Sequence, residues 1–81
     1  MMKIELLFFA GLRELFGVEK KSLDVNPNTT IRDVWTQLKE DGGYSFNDQY
    51  LLFAINEEYV SGEQKLKDGD VLAIMTPVCG G

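Results

Sequence analysis

The stretch TTIRDVWTQLKEDGG, residues 29–43, carries the most complete helical signal in the chain. Thr30 is a favourable N-cap residue, and Asp33 three positions later completes a capping-box pattern. Gly42 or Gly43 is expected to end the helix. Four apolar residues recur at helical spacing and predict one buried face; they are Ile31, Val34, Trp35 and Leu38.

Short apolar segments on both sides of this helix predict β-strands. Two precede it, at residues 3–9 and 18–25, separated by a helical turn over AGLRELFG, residues 10–17, that Gly17 ends. Three follow it, at residues 51–56, 57–60 and 71–76, the first two paired across Asn56-Glu57. This order predicts an α+β roll, in which a mixed sheet of four to five strands packs on one main helix.

The last predicted strand is apolar on both faces, whereas the second face of the first strand begins polar and ends apolar. One face of each is expected to pack on the helix, which leaves Leu7 and Phe9 of the first strand and Met75 of the last on the other face. If these strands are neighbours, the three side chains share that outer face, and Tyr59 can join them. The pattern predicts a partner-binding patch, although scattered exposed apolar residues are also common on ordinary protein surfaces.

Composition excludes several classes of function. The 81 residues fit a single domain, and a net charge of −5 argues against nucleic acid or an anionic membrane surface as partner. No apolar run approaches the ~20 residues of a membrane span, and a single cysteine cannot form an intramolecular disulfide, so we expect a cytosolic protein. With no histidine, no metal site is expected. Any catalytic groups are therefore expected to belong to a partner.

The last six residues, TPVCGG, suggest a function for the C-terminus. Pro77 lacks an N–H and releases the chain from the sheet, which predicts a folded domain over residues 1–76 and a flexible tail over residues 77–81. The four residues after Pro77 can reach ~13 Å, and Gly80 and Gly81 are narrow enough to enter another protein's active site. A terminal carboxylate is inert until ATP converts it to an acyl-adenylate. Because the chain has no ATP-binding motif, an activating partner is implied.

The whole chain resembles the small subunits of molybdopterin synthase, which belong to the β-grasp, ubiquitin-like sulfur carriers. The resemblance is carried by five stretches, of which the first is the most specific: LLFFAGLRELFG at residues 6–17, TIRDVWTQL at 30–38, AINEEYV at 54–60, LKDGDVLAI at 66–74 and TPVCGG at 76–81.

This resemblance implies a sulfur carrier that is not an enzyme by itself and binds no cofactor. A ubiquitin-activating-like adenylyltransferase and sulfurtransferase would use ATP to adenylate Gly81 and convert it to a thiocarboxylate. The sulfur would then pass to cyclic pyranopterin monophosphate in molybdenum cofactor biosynthesis, in the cytoplasm. Gly81 is thus the residue implied to carry the sulfur.

The resemblance also implies how the partners meet. The tail would thread into a pocket of the large subunit of molybdopterin synthase, within a heterotetramer of two large and two small subunits. The threading residues are Pro77, Val78, Cys79 and Gly80. The docking face of the family falls on Phe9, Tyr59 and Met75, with Leu7 beside them. Cys79 is either a small tail residue or a thiol able to exchange with the thiocarboxylate.

Three other functions stay open on the sequence alone. A sulfur carrier for thiamine thiazole synthesis shares the fold and the tail chemistry, although the AGLRELFG segment favours the molybdopterin branch. A ubiquitin-like modifier would be conjugated to lysines through Gly81, starting from the same adenylate. An interaction domain with an inert tail is the third, and it would tolerate deletion of Gly81.

Overall fold

One mixed sheet packed on one long helix forms most of the fold. The structure is a computed structural model that describes residues 1–9, 11–42 and 51–75. Within them the helices are α1 (Gly11–Phe16) and α2 (Ile31–Gly42), and the strands are β1 (Met2–Phe8), β2 (Lys20–Val25), β3 (Leu52–Ile55), β4 (Glu58–Val60) and β5 (Val71–Met75). The predicted α+β roll is confirmed, and its sheet has five strands.

The sheet has the strand order β2-β1-β5-β3-β4. The central pair, β1 and β5, is parallel, whereas β1–β2, β5–β3 and β3–β4 are antiparallel. The first and last strands are therefore neighbours, which is the arrangement that the predicted outer patch required. Neither strand lies at an edge of the sheet, and β5 is apolar on both faces, whereas β1 has Lys3 and Glu5 at the start of one face.

Helix α2 begins with the predicted capping box. The backbone N–H of Thr30 donates to the Asp33 carboxylate at 3.0 Å, and the backbone N–H of Asp33 donates to Thr30 Oγ1 at 3.2 Å. These two bonds satisfy backbone donors that a helix start otherwise leaves unpaired.

The core lies between α2 and one face of the sheet, here called the inner face. The predicted stripe of α2 is buried there against alternate residues of β1 and β5. Phe16 at the end of α1 stacks on Phe8, with 4.7 Å between ring centroids, and meets the edge of Trp35 at 6.1 Å. The buried residues of the two central strands are Ile4, Leu6, Phe8, Leu72 and Ile74.

Several predicted strand boundaries were wrong by one or two residues. The first strand begins at residue 2 instead of 3, and β3 and β4 are shorter than the predicted 51–56 and 57–60. Strand β1 ends at Phe8, because the carbonyl of Phe9 already accepts the N–H of Leu12 at 3.1 Å and begins the turn into α1. Strand β2 begins at Lys20 instead of Val18, because Gly17 has a φ of 75° and leads into an exposed Val18. Residue 76, predicted to end the last strand, lies outside the described residues.

Candidate functional site

An apolar groove of about 600 Å³ lies on the face of the sheet opposite α2, here called the outer face. We call it the outer groove. Its residues come from β1, β3, β4, β5 and the connections beside them. They are Leu7, Phe9, Ala54, Asn56, Glu57, Tyr59, Val71, Ala73 and Met75.

The strand register explains why this face is concave. Leu7 is opposite Ala73, Ala73 is opposite Ala54, and Ala54 is opposite Tyr59, so these four residues form one row across four strands. The two central members are alanines, which leave the middle of the row low. The larger side chains at its ends rise on both sides, and the result is a groove with an alanine floor.

Four side chains that the sequence analysis selected as a partner interface all line this groove. Tyr59 is 70% exposed and Phe9 is 43% exposed, whereas Leu7 and Met75 are half-buried. Large apolar side chains are usually exposed singly, and a cluster of them on one face marks a surface suited to binding. The structure thus brings the four together, and their role in binding stays a prediction.

One end of the outer groove is bordered by the two-residue turn between β3 and β4. Both of its residues have positive φ, 50° for Asn56 and 74° for Glu57, which is the pattern of a type I′ hairpin turn. The backbone N–H of Asn56 donates to the Val71 carbonyl at 2.9 Å, and Asn56 Oδ1 accepts the Val71 N–H at 3.1 Å. The turn is therefore tied to the start of β5.

Asp70 extends this connection into a small polar network. Asn56 Nδ2 donates to one oxygen of the buried Asp70 carboxylate at 3.3 Å, and the other oxygen accepts the backbone N–H of Lys67 at 2.8 Å. Because the carboxylate is bonded at both oxygens, burial leaves neither of them unpaired. The network fixes the rim of the groove to the loop before β5.

The sequence analysis did not select five residues that line the groove: Ala54, Asn56, Glu57, Val71 and Ala73. Ala73 and Val71 lie two and four residues before Met75 in β5 and so share its face of the sheet. Ala54 had no such signal, because the predicted strand over residues 51–56 is apolar at five of its six positions. The Asn-Glu turn was recognised as a connection, but nothing in the sequence placed it beside the start of β5. That placement depends on the antiparallel pairing of β3 with β5.

The outer groove has the chemistry of a binding surface. Among the described residues that line it, only Glu57 and Tyr59 carry ionisable side chains. Across the described part of the chain, no group of His, Cys, Asp or Glu residues is arranged to hold a metal ion. No helix within those residues is long and apolar enough to cross a membrane.

The predicted tail residues lie outside the described residues; they are Pro77, Val78, Cys79, Gly80 and Gly81. The boundary predicted between a domain over residues 1–76 and a tail over 77–81 stays a prediction for the same reason. Met75 is the last described residue, and it lines the outer groove. The described chain therefore ends beside the apolar surface.

Comparison with known proteins gives the family. The model of the ThiS family matches residues 6–81, which is nearly the whole sequence. The chain belongs to the ThiS family. Among its curated relatives, the molybdopterin synthase sulfur carrier subunit of Chlamydomonas reinhardtii is 34% identical over 99% of this chain and 100% of the relative. The protein of the same name from Escherichia coli K12 is 34% identical over 96% of this chain and 99% of its own length.

Several solved structures of similar proteins share the fold. A putative molybdopterin converting factor subunit 1 from Pyrococcus furiosus has a TM-score of 0.81 at 29% identity, covering 96% of this chain and 100% of that one. The small archaeal modifier protein 1 of Haloferax volcanii has a TM-score of 0.82 at 27% identity, covering 98% and 99%. A complex of subunits 1 and 2 of molybdopterin-converting factor from Helicobacter pylori contains a chain with a TM-score of 0.68 at 28% identity, covering 99% and 100%. The β-grasp, ubiquitin-like fold and the resemblance to molybdopterin synthase small subunits are thus confirmed.

Proposed function

We propose that this chain is the sulfur carrier subunit of a molybdopterin synthase. The observation that carries the proposal is the match to the ThiS family as far as Gly81, together with full-length relatives named as sulfur carrier subunits of that enzyme. In this role the chain supplies sulfur and its partner supplies the catalytic groups. Its site of action is the cytoplasm, and neither nucleic acid nor membrane takes part.

Gly81 carries the sulfur. An activating enzyme of the ubiquitin-activating type joins the Gly81 carboxylate to the AMP portion of ATP and releases pyrophosphate. A sulfur nucleophile such as sulfide then displaces AMP and leaves a thiocarboxylate. The carrier itself binds no cofactor, because ATP is held by the activating enzyme.

The outer groove is the docking surface for the large subunit. Phe9, Tyr59 and Met75 supply exposed or half-buried apolar area, with Leu7 beside them, and the Helicobacter pylori complex shows that a relative of this fold binds a second subunit. Burying such side chains in a partner is favourable by about 25 cal/mol for each Å² of apolar surface.

The tail delivers the sulfur from this docked position. Met75 lines the groove, and Gly81 follows it by six positions in the sequence. Once the groove is covered by the large subunit, the tail enters that subunit's pocket, where cyclic pyranopterin monophosphate accepts the sulfur. The threading residues are Pro77, Val78, Cys79 and Gly80.

A reconstituted reaction tests this proposal. The chain in its thiocarboxylate form is mixed with the large subunit and cyclic pyranopterin monophosphate, and molybdopterin is measured. We expect product from the full chain and from Cys79→Ser, and none from a chain that lacks Gly81. Product from the chain without Gly81, or loss of product in Cys79→Ser alone, would contradict the assigned roles.

A ubiquitin-like modifier is the second candidate, and the likeness to the small archaeal modifier protein 1 favours it. In that role Gly81 forms an isopeptide bond with a lysine of another protein. The two candidates share the adenylate and differ in the nucleophile that attacks it. High-mass conjugates that disappear on deletion of Gly81 would support the modifier, and the two roles can coexist.

A further inference from the structure

Glu57 occupies a backbone position that a glutamate does not favour. It is the second residue of the type I′ turn and has a φ of 74°. Glycine is the usual residue at this place, because a side chain at positive φ crowds the backbone. Local folding therefore gives no reason for a glutamate here, and a glycine would suit the turn at least as well.

The turn is held firmly in place despite this residue. Asn56 is bonded to Val71 through both its backbone and its side chain, and its amide also reaches the buried Asp70. These bonds fix the position of the residue that follows. The backbone of Glu57 is thus held at the rim of the outer groove in the free chain, and only its side chain has to be ordered on binding.

The carboxylate of Glu57 is available to a partner. It lines the outer groove, and within the described residues no hydrogen bond or ion pair joins it to another side chain. Glu5, which is opposite the groove-lining Val71 in the strand register, is 3.8 Å from Lys20 and so has its own cation. Glu57 is therefore the one groove-lining carboxylate in the described part of the chain, and it has no cation of its own.

We propose that Glu57 is a specificity-determining residue of the outer groove, and that it pairs with a lysine or arginine of the docked large subunit. This inference rests on the proposed function, since it names the chemistry of the same partner. The apolar side chains provide contact area for any apolar surface, whereas a rim carboxylate rejects partners with an acidic group at that place. A rim charge acts mainly on the association rate and on its dependence on salt.

The test measures binding of the full-length chain to the large subunit of molybdopterin synthase at low and high ionic strength. Glu57→Gln removes the charge and keeps the size of the side chain. Glu40→Gln is the matched control, because it makes the same change in net charge at an exposed position of α2, on the other side of the sheet. We expect Glu57→Gln to slow association roughly three- to tenfold at low salt and to weaken the salt dependence, and Glu40→Gln to stay within about twofold of wild type.

A second variant separates recognition from folding. Glu57→Gly relieves the unfavourable φ, so its urea unfolding midpoint should not fall below that of the wild type. Its association should nevertheless slow as much as that of Glu57→Gln. A residue that only supports the turn would not give a variant that is at least as stable as the wild type and yet associates more slowly.

The outcomes are distinguishable. If the wild-type chain does not bind the large subunit, both the proposed function and this inference are wrong. If the wild type binds but Glu57→Gln behaves like Glu40→Gln, only the inference is overturned. A Glu57→Gly chain that is destabilised and binds like wild type would likewise assign Glu57 a structural role.

Discussion

The two faces of the sheet are built from the same strands and differ in what covers them. Ile74 and Met75 are adjacent in β5, yet Ile74 is fully buried beneath α2 while Met75 is half-buried at the outer groove. On the inner face, Trp35 and its neighbours in α2 seal the surface. On the outer face, no described element of the chain lies over the apolar row.

This difference shows how far apolar patterning alone can be interpreted. Alternation in β1 and β5 indicates that both faces are suited to burial, but it does not show whether the cover belongs to the same chain. The inner face is stabilised when the chain folds. The outer face, in our account, is covered only when the large subunit docks, so changes on the two faces should affect different measurements.

The largest expected effect is on the inner face. Ile74→Ala should lower the free energy of unfolding by about 2–5 kcal/mol, because it leaves a cavity at a site with no exposed surface. Urea denaturation checks this value. Met75→Ala, one residue along the same strand, is the matched control and should cost about 1 kcal/mol or less. Equal losses would remove the distinction between the faces.

The second-largest effect is expected on the outer face, where it should appear as a loss of affinity for the large subunit. Tyr59→Ala should weaken binding to the large subunit by about 2 kcal/mol, or roughly 30-fold, because exposed tyrosines are common anchors of interfaces. Its free energy of unfolding should change by less than about 0.5 kcal/mol, since the side chain is largely exposed. Tyr59→Phe keeps the ring and should retain most of the affinity. Calorimetric titration with the large subunit checks both variants.

Sequence reasoning was most successful where local signals acted alone. The capping box at Thr30 and Asp33, the stripe of α2 and the stop at Gly17 were all predictable, because each depends on residues within one or two turns. The end of β1 was less predictable. It depends on where Phe9 turns the chain into α1, and that geometry is not encoded in strand propensity.

Loss of the N-cap of α2 should have a smaller effect than the substitutions proposed on either face of the sheet. Thr30→Ala removes the hydroxyl that accepts the Asp33 N–H and should lower the free energy of unfolding by about 1 kcal/mol. Affinity for the large subunit should be unchanged, because the cap lies on the helix side of the sheet. Thr30→Ser keeps the hydroxyl and serves as control. Reduced binding by Thr30→Ala would mean that the two faces are coupled.

The smallest effect should come from Gly62, which is buried near the start of α2. A Cβ there would lie 2.7 Å from an Nη atom of Arg32, whose side chain is 52% exposed and pairs with Glu63 at 3.0 Å. Because the guanidinium is the end of a flexible, exposed side chain, Gly62→Ala should cost about 0.5 kcal/mol or less. A loss above about 2 kcal/mol in thermal unfolding would show that Arg32 cannot move.

The candidate site was only partly predictable, because some of its residues are brought together by strands that are far apart in the sequence. Leu7, Phe9, Tyr59 and Met75 were selected by alternation and by the family resemblance. Asn56 and Glu57 were not, because their place beside Val71 follows from long-range strand pairing. The residues that shape the rim of the groove therefore emerged only from the folded arrangement.

The central claim is that Gly81 carries sulfur, and the most direct test is the intact mass of the chain purified gently from its native cells. The account predicts that a fraction of the chain has one terminal oxygen replaced by sulfur, and that this form is absent when Gly81 is deleted. A terminus found only as a plain carboxylate, in cells actively making molybdenum cofactor, would contradict it.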